Sequence, residues 1–600
     1  MYHYPQKSFH DLLKSIRFGQ TVNYPEIEQT ICSQPTWIEQ LQLSNVLRGH
    51  DGCVNTIEWN SEGNLLVSGS DDRQITVWNK DGHEVTNFAS GHDGNIFAAK
   101  FLRNCNDSKV ASGAADGSVV VNQWRSVESG CCERLREWRN SRRIKQIALD
   151  QTNDSSFFSC GEDGSILGYD IREMEPTTLF DANQGIKSIA TCYSRPTLIA
   201  AALSMDGVKI YDIRYMKESL LNIATGHARI LGNRGPMTAT YLQFNSSGTE
   251  LIVNFHNDAV YIFDTNLAQK SGPKFAEKIR ELRNPSMNLE NDMEPSVITM
   301  DDVKSSLDQL SRLSTDGTRG IEVLSKMIAQ TLKVKQLTGT LNKQIQAQLA
   351  CLYHKRGALY KQRDYMGDNM AALRDLLNSL ELCPKNSLAT YHLIEALNKY
   401  QQNYEGKQWI EIYKQRFGET PPKLAETTKR MRSWNPLLMK FTRDYSERYF
   451  GARNLRTDIK QARFFGGHDE YVIAGSDCGH LFVWSRENNC IVKLLKADDH
   501  VVNCAAPHPN LPLIATSGIE NVIRFWSPWK INDDKESVSS KAPEHPETWC
   551  QRDVTNDRDE IVMDNNTIDR RLTPFDLLRF AVIQQDRGRE IADVPGCNTS

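Results

Sequence analysis

The stretch from Leu47 to Asp81 reads LRGHDGCVNTIEWNSEGNLLVSGSDDRQITVWNKD. A Gly-His pair precedes an alternating run that ends at Trp59. A Ser-Glu-Gly turn follows, then a second run closing on Ser68-Gly69-Ser70, an acidic turn at Asp71-Asp72 and a third run ending in Trp78. Period-two alternation bounded by Gly, Asp and Asn is the pattern of short strands joined by tight turns. The unit recurs along the chain, with the aromatic strand end of Trp78 matched at Asn122 (SGAADGSVVVN), Tyr169 (SCGEDGSILGY), Tyr211 (SMDGVKIY), Phe263 (FHNDAVYIF), Trp484 (GSDCGHLFVW) and Trp526 (SGIENVIRFW). Five of the six intervals lie at or near the ~40–45 residues of one four-stranded unit. The long interval, Phe263 to Trp484, holds one further unit and a large insertion.

The unit resembles the WD repeat. That resemblance implies a mainly β fold with an α insert: a seven-bladed WD-repeat β-propeller carrying a helical domain between blades five and six. In the family pattern four side chains bond across a blade, and they fall here on His50, Ser68, Asp72 and Trp78. Each buried donor or acceptor they satisfy would cost about 1–3 kcal/mol if orphaned. In blade two Ser112 and Asp116 keep the pattern while Asn122 replaces the tryptophan. In blade seven the positions fall on His500, Thr516 and Trp526, with Glu520 in place of the aspartate. Sharing of strands between first and last blades places Leu41 to Val46 near blade seven.

Between 305 and 418 the alternation gives way to helix formers, with Leu, Ala and Tyr at three- and four-residue spacing. Gly357, Tyr360, Ala371 or Ala372, and Pro384 follow the tetratricopeptide order of small, aromatic, small and helix-stopping residues, with about three residues too many in the turn at Tyr365 to Asp368. A single helical hairpin cannot bury its apolar face, so about three repeats are expected. The expected organisation is an N-terminal helix and lead-in (1–45), blades one to five (46–266), a linker (267–304), a tetratricopeptide-like insert (305–418), a return linker (419–454), blades six and seven (455–530), and a polar tail (531–600) with a short amphipathic helix at 574–584. That last helix docks either on the propeller or on a partner.

With 71 basic and 75 acidic residues and a net charge of −4, the chain has no global field of the kind nucleic acid or anionic membrane attracts. Partners are therefore expected to be proteins. Basic clusters at Arg134, Arg136, Arg139, Arg142, Arg143 and Lys145, and at Arg443, Arg448, Arg453, Arg456 and Arg463, lack the interleaved aromatics that stack bases, so direct nucleic-acid binding is not expected. The 14 cysteines show no C-x-x-C or regular Cys/His spacing and read as reduced thiols, with no metal site. No apolar run approaches a membrane span, and the N-terminus carries no secretory pattern. Walker, G-x-S-x-G, H-E-x-x-H and Rossmann motifs are missing, so neither catalysis nor a cofactor is expected.

The specific signal is a repeated tetrapeptide. Tyr169-Asp170-Ile171-Arg172 and Tyr211-Asp212-Ile213-Arg214 close equivalent strands in consecutive blades. An aspartate after the aromatic is ordinary for the repeat, whereas the arginine two positions on is not. Two guanidinium groups would emerge on one rim, where a bidentate fork grips carboxylates or carbonyls. Blade two offers Arg125 at the matching place, with Gln123 instead of aspartate. Ser8 to Phe18, SFHDLLKSIRF, has an N-cap serine and apolar positions at Phe9, Leu12, Leu13 and Ile16. It reads either as a docking helix or as a helix packed on its own propeller rim.

The double motif resembles that of substrate receptors of the cullin-4 ubiquitin ligases, and the whole layout resembles the WD and tetratricopeptide repeat proteins. The resemblance implies a non-catalytic adaptor, cytoplasmic and nuclear. Asp170, Arg172, Asp212 and Arg214 would face the damaged-DNA-binding adaptor protein of the ligase, and another surface would recruit ubiquitination substrates. The alternative is a chromatin or corepressor scaffold that binds histones or histone deacetylases and has no ligase role.

Overall fold

A computed structural model of the chain describes residues 33–103, 105–124, 132–225, 238–268, 274–283, 317–338, 343–365, 367–399, 403–422, 442–529 and 558–571. The strands form seven separate sheets of four or five strands. Blade one comprises Val54–Trp59, Leu65–Ser70, Gln74–Asn79 and Glu84–Ala89, all antiparallel, and each later blade repeats that meander. The first strand of each blade packs against the first strand of the next around the ring. Both faces of these inner strands are therefore buried, which suits their Val, Ile and Ala content.

A short helix, α1 (Pro35–Glu39), leads into the strand that closes the ring. Gln42–Arg48 pairs antiparallel with Val522–Ser527 from the far end of the propeller, with Gln42 opposite Ser527 and Arg48 opposite Val522. The Trp59 indole of blade one also donates to the Ala506 carbonyl of blade seven at 3.1 Å. Blade seven is thus built from both ends of the propeller sequence.

A second blade is completed in the same way. Blade five begins with Ala239–Phe244, Glu250–Phe255 and Val260–Asp264, and there the chain departs into the helices. It returns through Thr442–Arg443, which adds a parallel fifth strand to Leu221–Ile223 of blade four, and then supplies Glu447–Tyr449 as the outer strand of blade five. The insertion therefore leaves one strand before the boundary between blades five and six. An outermost strand is bonded along one edge only, so a distant stretch can fill that place without interrupting the ladder.

The helical part consists of α2 (Lys274–Arg283), α3 (Thr318–Thr338), α4 (Lys343–Arg363), α5 (Asp368–Leu382), α6 (Ser387–Lys399) and α7 (Asn403–Phe417). Successive helices from α3 to α7 pack as neighbours, and Gly357 lets α4 approach α5: a Cβ there would meet the Leu376 side chain at 3.1 Å. The expected linker 267–304 contains α2, whose Ile279 is buried with Leu376, Leu397 and Trp409. The expected polar tail contains α8 (Arg558–Arg571), which buries Val562 beside Gly451 and pairs Asp559 with Arg319 at 2.5 Å. Among the described side chains Ile279 of α2 and Val562 of α8 are the buried apolar ones, too few to stand out from the surrounding charge. Ser8 to Phe18, residues 305–316 and the segment 574–584 lie outside the described residues.

The long turn between α4 and α5 fixes this helical module to the propeller. Asp368, fully buried, accepts from Arg363 Nε (2.8 Å) and Nη2 (2.9 Å), from Arg448 Nη1 (2.8 Å) and from the Tyr365 amide (3.0 Å). Arg363 also lies over the Phe450 ring at 4.1 Å. Next to it Arg374 of α5 pairs with Asp444 at 2.6 Å and covers the Tyr445 ring at 3.6 Å. Of the turn Tyr365 to Asp368, the Tyr365 amide and the Asp368 carboxylate enter this buried network.

Candidate functional site

Blade one holds its polar side chains together as a cluster. His50 lies 2.9 Å from Asp72 and 2.8 Å from the Ser68 hydroxyl, which also accepts from the Trp78 indole at 2.8 Å. In blade two the histidine is His92, 2.8 Å from Ser112 and 2.5 Å from Ser118, while Asn122 donates to the Ser90 carbonyl. Blade seven departs from the reading. Trp526 donates to Thr516 at 2.8 Å, but His500 is exposed, and the buried Asp498 takes the turn instead by accepting from the amides of His500, Val501 and Glu520. A carboxylate two residues before the histidine satisfies those amides better than a ring that would have to be desolvated. These clusters bind the blades internally.

The rim of blades three and four is different. Asp170 ends the strand Ser165–Asp170 and Asp212 ends Gly207–Asp212; they pair with Ser156 and Leu198, the first residues of the neighbouring strands. The preceding Tyr169 and Tyr211 are buried, so alternation turns the aspartates away from the core. Arg172 donates from its amide (2.9 Å) and Nε (2.8 Å) to Asp170 Oδ1 and from Nη2 to Oδ2 (2.5 Å). Arg214 repeats this on Asp212 at 3.0, 2.9 and 2.6 Å.

The arginine side chains are nonetheless 65% and 74% exposed. The hydrogen bonds from Arg172 hold Asp170 far below the ordinary carboxylate range, and those from Arg214 bring Asp212 down to about 2. One edge of each guanidinium is thus engaged by its own aspartate rather than open to a partner. The Nη1 donors and one Nη2 hydrogen remain uncommitted among the described residues, on a side chain held in one orientation.

Neighbouring turns brace this rim. The Ile171 amide donates to Ser155 and the Ile213 amide to Thr197, which ties each arginine turn to the turn between the first two strands of its blade. In blade four Arg195 reaches across to the Thr265 carbonyl of blade five at 3.3 Å. The same end of these blades also carries the exposed side chains Met174, Tyr193, Tyr215 and Leu220, which nothing in their spacing distinguishes from core residues. Arg125 lies outside the described residues.

Several members of the basic clusters are paired within the chain. Arg134 and Arg139 pair with Glu137, Lys145 with Asp458 and Glu162, Arg448 with Asp368, and Arg463 with Glu58. Lys145 and Asp458 line the central channel, where Lys187 also meets Asp458 at 2.6 Å. Among the described residues no group of three or more His, Cys, Asp or Glu is placed to hold a metal, and no helix is long and apolar enough to cross a membrane.

Comparison with known proteins agrees with this architecture. The model of the WD domain, G-beta repeat, matches residues 41–79 and 489–527. The chain is 29% identical to human WD and tetratricopeptide repeats protein 1, over 83% of this chain and 86% of that one. It is 22% identical to Protein ALTERED SEED GERMINATION 2 of Arabidopsis thaliana, over 84% and 88% of the two chains. Human DDB1- and CUL4-associated factor 6 is 30% identical, over 42% of this chain and 31% of that protein.

Proposed function

Because the chain belongs to the WD and tetratricopeptide repeat proteins, we propose that it is a substrate receptor of a cullin-4 RING ubiquitin ligase. The observation that carries this reading is the pair of tethered arginines: Arg172 and Arg214 stand at equivalent registers of adjacent blades, on one rim, each braced by its own aspartate. Likeness to a protein named for association with DDB1 and CUL4 supports it. On this reading the chain is a non-catalytic scaffold of the cytoplasm and nucleus. The rim of Asp170, Arg172, Asp212 and Arg214 meets the ligase adaptor, while the tetratricopeptide-like helices and the opposite propeller face select targets for ubiquitination.

The helical module is fixed beside blades four and five through Asp444 and Arg448, which pair with Arg374 and Asp368 of α5, so a bound target would be held at a set distance from the adaptor. Such geometry serves ligation by keeping acceptor lysines near the transferred ubiquitin. The test is recovery of the adaptor with the wild-type chain and with the Arg172→Ala/Arg214→Ala double variant. Loss of the adaptor is expected. Undiminished recovery, with histone deacetylase subunits among the captured proteins, would replace this reading by a corepressor scaffold.

A further inference from the structure

Two arginines are not the whole of this rim. Met174 and Tyr193 are each 72% exposed, Tyr215 56% and Leu220 46%, all at the arginine-bearing end of blades three and four. Met174, Tyr215 and Leu220 lie in the connections from third to fourth strand. Tyr193 lies in the connection from first to second, which the Thr197 carbonyl ties to Ile213 beside Arg214. Large apolar side chains gathered on one face mark an interaction site more often than chance exposure does. At the opposite end of the same two blades, Met205 is the large hydrophobic residue left exposed among those described.

The turns that present the two tyrosines are hydrogen-bonded to their surroundings. The Tyr215 amide bonds back to the Asp212 carbonyl at 2.9 Å, with Met216 buried beneath. Tyr193 precedes Ser194, which donates to Ser247 at 2.7 Å, and its ring lies 5.5 Å from the Arg103 guanidinium. Tyrosines held in this way lose little freedom when a partner covers them.

The charge on this face is small: each rim arginine is neutralised by its own aspartate, and the exposed Glu173, Glu175 and Glu218 against Lys217 leave an excess of two negative charges. Long-range attraction therefore contributes little here.

We infer that the exposed side chains Met174, Tyr193 and Tyr215 supply most of the affinity for the protein that docks on this rim, while Arg172 and Arg214 fix its register by donating to its carbonyls. The inference rests on the reading that this partner is the cullin-4 adaptor, and it adds what grips that adaptor. Aromatic anchors beside arginine are the usual composition of an interface hot spot.

The experiment is interferometry of the full chain against purified adaptor. Met174→Ser, Tyr193→Ser and Tyr215→Ser should each weaken binding by about fivefold or more. Met205→Ser should bind as wild type, and raising salt from about 50 to about 500 mM should change affinity by less than about threefold. All four positions are exposed, so unchanged melting curves should accompany the affinities. If the serine variants bind as tightly as wild type while Arg172→Ala/Arg214→Ala loses the adaptor, the inference is overturned and the docking reading survives. If the arginine double variant binds undiminished, or wild type does not bind, the docking reading fails and the inference with it.

Discussion

Replacing Asp368 by asparagine should destabilise the protein strongly. The carboxylate is fully buried and accepts from two guanidinium groups, Arg363 of α4 and Arg448 of the strand that completes blade five. The amide keeps the shape but removes the charge, leaving two buried cations without a counter-ion. Breaking such a pair costs about 3–5 kcal/mol. Each kcal/mol moves the melting temperature of a body of this size by about 1–2 °C, so a fall of roughly 3–10 °C is expected by calorimetry. Hydrogen exchange should quicken at Glu447–Tyr449 and at the start of α5, because the network joins those two places. Adding Arg448→Met should recover part of the loss by removing the surplus charge. A shift below about 2 °C with unchanged exchange would refute the claim that this network anchors the helices.

Three further outcomes follow from the packing. Ser68→Ala removes the hydroxyl that accepts from Trp78 and meets His50, and should cost about 1–3 kcal/mol in denaturant unfolding; a neutral result would mean that water replaces it. Glu58 is half-buried, which opposes ionisation, but the charges of Arg463 and Lys100 outweigh this and bring it down to about 2. Its folded value lies below the unfolded one, so its contribution is present above about pH 4.5 and is lost as pH falls toward 2; Glu58→Gln should flatten that part of the stability profile, and an unchanged acid limb would count against the pair. Val562→Asp puts a charge into the buried contact between α8 and Gly451 and should release α8, read as new proteolytic cleavage around Arg558 to Arg571; resistance equal to wild type would show that α8 is held by its ion pairs to Arg319 and Glu322 alone.

What could be read from the residues and what could not divides on physical lines. The inner strands of each blade were visible because they are largely buried and end at a turn, so the positions of Trp78, Tyr169 and Tyr211 fall on a period of about 40–45 residues per blade. The closing strand of blade five was not, because Glu447–Tyr449 is three residues long and bonded on one side, too short for a period. His500 attracted the blade pattern by its identity, while the place belonged to Asp498, a carboxylate two residues earlier on the same turn. Helices α2 and α8 each commit few apolar residues to the core, and charge around them hid Ile279 and Val562. At the rim, the aspartate and arginine pairs were legible as a repeated tetrapeptide. The side-chain tether between them was not, since it depends on the backbone turning back after the strand. Nor were Met174, Tyr193 and Tyr215, because exposure of an apolar side chain is a property of the folded surface alone.

A cryo-electron microscopy map of the chain bound to the cullin-4 adaptor tests the central claim most directly. The account predicts the adaptor seated on the end of blades three and four that carries Arg172 and Arg214, with the helical module beside blade five left clear for a target. Density for the adaptor on the opposite face, around Met205 and the turn at Asp163, would contradict it.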